Sequence, residues 1–263
     1  MLRLGITIIV VIFLFGSCSK PSQSKLLGPG IALSIDAWPD SWYEHRQFFK
    51  DNGVKFTFYI EQYPIMLNPQ KQKLRDFEAD GSEVAHHTYT HAHADEYVAK
   101  FGMQQFLKNE ILEPTLAMKR DGFHPLNFAY AHGDCTTETD VELANYFNSI
   151  RKIISPYGGK RICDMDQIYY RFGDITYYYA CGIDKRYGHS LEEVFQALEY
   201  AKKSRTTICL YSHIISTNPV PLSVDKSESY ILVDDLKKIV LKAKELGLTF
   251  YTAKDISRNK FAE

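Results

Sequence analysis

The segment Glu83-Val84-Ala85-His86-His87-Thr88-Tyr89-Thr90-His91 is the sharpest local signal of metal chemistry in the chain. His87 and His91 stand four residues apart. On a helical turn that spacing puts both imidazoles on one face, within reach of one metal ion. A histidine pair by itself also fits a solvated surface, so a third ligand has to decide. Zinc accepts a carboxylate oxygen, and a catalytic zinc site keeps an open position for water. Asp36 is the candidate. It follows the apolar run Gly30 to Ile35, and ligands converge at strand C-termini in α/β folds. His45, His86, His93, His124 and His189 show no such pattern, although His93 is close enough to the pair to support a ligand. Arg171 is placed to bind a substrate carboxylate or to pair with Asp174.

These residues need elements that bring them together, and the pattern supplies alternating strands and helices. Strands are predicted at 30–35, 54–60, 126–131, 149–154, 175–180, 206–211 and 248–252. Helices are predicted at 42–50, 69–80, 106–119 with a bend at Pro114, 137–147 and 234–246, and another with Leu191, Val194, Leu198 and Ala201 on one face. Ser190-Leu191-Glu192-Glu193 is a capping box, and Gly247 is a C-terminal stop. Repeated β–α alternation means a mostly parallel sheet or barrel. The length of 263 residues suits one such domain, and 45% hydrophobic residues rule out a disordered chain. A formal net charge of −1 argues against a nucleic-acid partner.

The first residues read as a signal. Leu4 to Phe15 is apolar and uncharged, too short for a membrane span of roughly 20 residues. Gly16-Ser17-Cys18 follows, then the polar stretch Ser19 to Ser24. Cys135, Cys163, Cys181 and Cys209 remain, permitting three disulfide pairings, with Cys209 in an apolar run that suits a buried thiol.

In motif order the chain resembles the polysaccharide deacetylases of carbohydrate esterase family 4, the NodB-homology domain. His87-Thr88-Tyr89-Thr90-His91 matches the HTxxH motif outright, preceded by Asp80-Gly81-Ser82-Glu83-Val84. Ser34-Ile35-Asp36-Ala37 stands where the family has its aspartate pair. Phe128-Ala129-Tyr130-Ala131-His132-Gly133 corresponds to the third motif. Ile208-Cys209-Leu210-Tyr211-Ser212-His213 corresponds to the last, and Asp184 lies in the region of the remaining one.

The resemblance implies a distorted (β/α) barrel and a divalent metal, zinc above all. It implies hydrolysis of an N-acetyl group on a sugar. Asp36, His87 and His91 would be the metal set, His213 the general acid, and Asp184 the group that orients it. Backbone N–H groups near His132 would help hold the oxyanion. The start resembles a bacterial lipoprotein signal, with Phe15 where Leu is usual. The expected organisation is a signal peptide over 1–17, a lipid-anchored tether over 18–27 and a catalytic domain over 28–263. Acylated Cys18 would hold the protein on an envelope membrane, facing the periplasm.

Two departures matter. Asp36 stands alone where the family has two aspartates, one a base and one a ligand. In one register Asp36 is the base and Ala37 the lost ligand. In the other, which keeps a full ligand set, Asp36 is the ligand and Ile35 the lost base; Asp40 or Asp134 would have to substitute. The third motif lacks its arginine. Two functions therefore follow: a metal-dependent carbohydrate N-deacetylase, or a deacetylase-like glycan binder with little or no activity.

Overall fold

The structure is a computed structural model that describes residues 26–158, 160–219 and 228–261. The signal peptide expected over 1–17 and the acylation expected at Cys18 lie outside the described residues. Within them no helix is long and apolar enough to cross a membrane.

Among the described residues eleven short strands form: β1 (Gly30–Ile35), β2 (Thr57–Ile60), β3 (Glu83–His86), β4 (Asn127–Ala129), β5 (Ser149–Ile153), β6 (Tyr169–Tyr170), β7 (Tyr177–Gly182), β8 (Thr207–Ser212), β9 (Ile214–Ser216), β10 (Tyr230–Leu232) and β11 (Thr249–Tyr251). Seven of them pair in parallel in the order β1-β2-β3-β4-β5-β7-β8, and β8 pairs with β1 along Gly30–Ile35 to close the ring. β2 pairs with the C-terminal end of β1, and β11 with its N-terminal half. The result is a (β/α) barrel with helices outside.

Strand alternation separates two cores. Ile31, Leu33 and Ile35 join Phe58, Ile60 and Val84 in the layer that packs on helix residues Phe49, Leu74, Phe77 and Leu236. The opposite side chains fill the barrel: Ala32, Ala85, Ala129, Ala180 and Cys209, with the large Tyr59, Tyr178 and Tyr211. The five small side chains leave the space that three tyrosines need.

The predicted helix over 42–50 is two pieces, Asp40–Tyr43 and Arg46–Asp51, separated at His45, whose backbone leaves the helical region. The helix over 106–119 departs from α geometry before Pro114 rather than at it. Leu107–Leu112 is a π-helical stretch, and Pro114 sits in the first turn of Glu113–Arg120. Pro114 lacks the N–H that an α ladder needs there. The four described cysteines are free thiols, Cys181 and Cys209 buried.

Trp42 seals the outer core. It is fully buried, with ring centroids 5.2 Å from Phe56 and 5.9 Å from Phe49. Trp42→Ala is expected to cost about 3–5 kcal/mol of unfolding free energy, read from urea denaturation.

Candidate active site

The barrel's inward positions carry the chemistry at the strands' C-terminal ends. β1 runs into Asp36, β2 into Glu61, β3 into His87 and β8 into His213. Asp36, His87, His91, His132, Tyr211 and His213 line one cavity.

His87 is set by two bonds. Its backbone N–H donates to the Ile60 carbonyl at 3.1 Å, and its Nδ1 lies 2.9 Å from the Ala129 carbonyl. A carbonyl only accepts, so Nδ1 carries the proton and Nε2 keeps its lone pair, the form a metal ligand needs. Burial pushes the His87 pKa down to about 3, against the pull of Asp36, so the ring is neutral at physiological pH.

The segment from His87 to His91 is not the helical turn that the spacing suggested. Thr88 (φ 65°) and His91 (φ 57°) are left-handed, and this sharp loop brings the two rings to a centroid separation of 5.1 Å. Two non-glycine residues in that region cost energy that something must offset. Glu110 does so from the π-helical stretch. Its carboxylate accepts from the Tyr89 N–H at 3.0 Å, the Thr90 N–H at 2.8 Å and the Thr90 hydroxyl at 2.9 Å. Glu110 was missed in the sequence because only its irregular helix turns it toward the loop.

Asp36 is held by Arg151, a second residue that sequence reasoning missed. Arg151 rises from β5 into the barrel and is fully buried. Its Nη2 donates to Asp36 Oδ2 at 2.5 Å, and its guanidinium lies 5.1 Å from the Tyr59 ring centroid and 4.7 Å from that of Tyr211. Burial alone would raise the Asp36 pKa. Arg151, with lesser help from His87 and His213, more than reverses this and holds the carboxyl below its ordinary range. Asp36 Oδ2 is 3.9 Å from His87 Nε2, and Oδ1 is buried with no hydrogen-bond partner. The one visible signal for Arg151 was a charge at an inward position of an apolar strand.

At the end of the neighbouring strand β8, His213 Nδ1 and Asp184 Oδ2 are 2.5 Å apart. Asp184 Oδ1 also accepts from the Ser212 hydroxyl at 2.5 Å and the His213 N–H at 3.3 Å. Trp42 Nε1 donates to the His213 carbonyl at 2.8 Å, so the first helix fixes the last site residue. Asp40 is tied to Lys73 and Gln70, and Asp134 to His93 at 2.6 Å. His93 stacks on His132 at 3.7 Å, and His132 lies 4.3 Å from His91. Arg171 donates to the Ser204 carbonyl at 3.1 Å. Glu61 Oε2, unremarked in the sequence, is 3.7 Å from His91 Nε2.

The four potential donors thus stand as two pairs, Asp36 with His87 and Glu61 with His91. Among the described residues no three His, Cys, Asp or Glu side chains converge on one point. The donor chemistry still fits a divalent ion: two imidazoles, one with its tautomer already set for ligation, and a buried carboxylate oxygen with no partner.

The closed parallel barrel carries histidines and carboxylates at its C-terminal mouth, where α/β barrels place their functional residues. The polysaccharide deacetylase family model matches residues 24–177, and this chain belongs to that family. Asp184 and His213 lie beyond the matched stretch. Solved structures agree on the fold. The Bc1960 peptidoglycan N-acetylglucosamine deacetylase is 15% identical, with a TM-score of 0.54 over 91% of this chain and 93% of that one. A family 4 carbohydrate esterase from Streptomyces lividans is 16% identical, TM-score 0.54, over 89% and 97%. The chitin deacetylase of the fungal pathogen Colletotrichum lindemuthianum is 16% identical, TM-score 0.55, over 90% and 91%. No curated protein matches the chain.

Burial alone would lower the His213 pKa, but Asp184 more than offsets this and leaves it raised. The interaction with the charged ring therefore stabilises the fold fully below about pH 6.5 and is lost as pH rises through the raised midpoint. An NMR titration of His213 should show a midpoint above about 6.5 that falls in Asp184→Asn.

Proposed function

We propose that this chain is a metal-dependent hydrolase that removes N-acetyl groups from an acetylated amino sugar or polysaccharide. The observation that carries this reading is the gathering of histidines and a carboxylate at one cavity. Asp36, His87, His91 and His213 line it, and Asp184 holds the His213 ring. A divalent ion, zinc by donor type, would be held by Asp36, His87 and His91, where it would polarise the acyl oxygen and acidify a water.

The chain's own residues do the rest. Arg151 keeps Asp36 ionised, so Asp36 serves the ion or its water as an anion throughout. The Ala129 carbonyl keeps the His87 lone pair on Nε2. Asp184 holds the His213 ring by Nδ1, which leaves Nε2 to pass its proton to the leaving amine. The solved structures named for peptidoglycan and chitin deacetylation support an acetylated amino-sugar polymer as the substrate class.

A single motif aspartate and the separation of the donors into two pairs favour the second reading, a glycan binder with little turnover. Acetate release from N-acetylglucosamine oligomers, measured with added zinc, decides between them. The wild type should release acetate. His213→Ala should lose roughly 10²–10⁴-fold in rate, the usual worth of a general acid, with zinc content unchanged. Glycan binding without acetate release would leave the binder.

The resemblance of the N-terminal segment to a lipoprotein signal supports a site of action on an envelope membrane, facing the periplasm, through acylated Cys18. Cys18→Ala should move the exported protein from the membrane to the soluble fraction after cell fractionation.

A further inference from the structure

The site has lost one carboxylate relative to its family's motif, and the structure shows on which side. Ile35 is fully buried in the outer core, packed toward the helices, so a side chain at position 35 faces away from the cavity. Ala37, by contrast, lines the pocket that Asp36, Glu61 and His213 share. The gap is therefore on the Ala37 side, and Glu61 stands in the same pocket.

Glu61 is carried by a locked stretch of backbone. The Ile60 carbonyl before it accepts from His87 N–H at 3.1 Å, and the Gln62 N–H after it donates to the Tyr89 carbonyl at 2.9 Å. The Trp38 indole N–H donates to Glu61's own carbonyl at 3.2 Å. Glu61 is thus pinned both to the histidine loop and to the loop that follows Asp36. Its Oε2 lies 3.7 Å from His91 Nε2. Two ligands each about 2.0–2.2 Å from one tetrahedral ion stand roughly 3.4 Å from each other, so the pair is near ligand spacing. Among the described residues no lysine or arginine forms an ion pair with Glu61, and its carboxylate is not neutralised in that way. Asp36 differs on this point: the oxygen it turns toward His87 is already the acceptor for Arg151, and a bound cation there would sit beside a fixed positive charge.

We infer that Glu61 is the carboxylate ligand of the metal site, binding with His87 and His91 in place of the aspartate that position 37 lacks. This rests on the metal-dependent reading above and deepens it. Asp36, clamped by Arg151, is then left to take the proton of the attacking water on its free Oδ1.

Zinc titration of the purified protein by calorimetry tests this without reference to turnover. Glu61→Gln should weaken zinc binding by at least about 100-fold, the upper end of what losing even an outer partner costs. Asp36→Asn should cost no more than about tenfold, the lower end of that range. The double variant Ala37→Asp/Glu61→Gln should recover most of the lost affinity, because position 37 faces the same pocket. Recovery by a relocated carboxylate is not expected of a merely structural role. Glu61→Gln binding within about tenfold of wild type overturns the inference, as does Asp36→Asn losing zinc while Glu61→Gln keeps it. A wild type that binds no zinc, with His87→Ala no different, fails the metal-dependent reading itself and takes this inference with it.

Discussion

One buried ion pair organises the inside of this barrel. Arg151 and Asp36 come from strands on different sides of the ring and meet in its upper interior. Desolvating two charges costs several kcal/mol each, and attraction returns that only with good geometry. Here the guanidinium lies between two tyrosine rings, and those rings are themselves tied. Tyr59 and Tyr178 share a hydroxyl contact of 2.6 Å, and Tyr187 and Tyr211 one of 2.5 Å. Gly182 belongs to the same arrangement, since a Cβ there would lie 2.1 Å from the Tyr187 ring. The alanines along the inward positions are what make room for all of it. Such a centre is weak evidence for stability, but it delivers a carboxylate to the cavity floor in one ionisation state.

The alternating elements were readable because burial on one strand face and one helix stripe imposes a period that sequence carries directly. The capping box at Ser190 and the helix it opens, Leu191–Ser204, follow from local chemistry alone. The pair Asp184–His213 was found through motif order, although the residues are distant in sequence. What sequence did not show were side chains whose meaning depends on a neighbour across the barrel. Arg151 looks like an ordinary charge until β1 and β5 face each other. Glu110 looks like a helix-surface acid until a π-helical stretch turns it inward.

The histidine loop shows why spacing misleads when geometry is strained. A separation of four residues suits a helix, and it was read that way. Two left-handed residues achieve the approach instead, with Glu110 holding the N–H groups that a helix would have satisfied internally. His132 (φ 57°) and Gly133 (φ 81°) repeat the device after the adjacent strand β4, where a Cβ on Gly133 would lie 2.2 Å from the Ile153 side chain. The cavity is therefore framed by backbone held in costly conformations by specific partners, as is common at functional sites.

The closure of β1 against β8 carries a consequence for how the protein is made. β1 needs residues 207–212 on one flank, and the Trp42 indole needs the carbonyl of His213. Chain synthesised up to β7 holds Asp36, His87, His91 and Arg151 but has neither the wall that closes the ring nor the second half of the site. Contacts so distant in sequence form late and slowly. The nascent chain thus stays open, with its inward tyrosines and arginine wet, until nearly four fifths of it exists. A premature stop before β8 yields only an unclosed sheet with two bare edges.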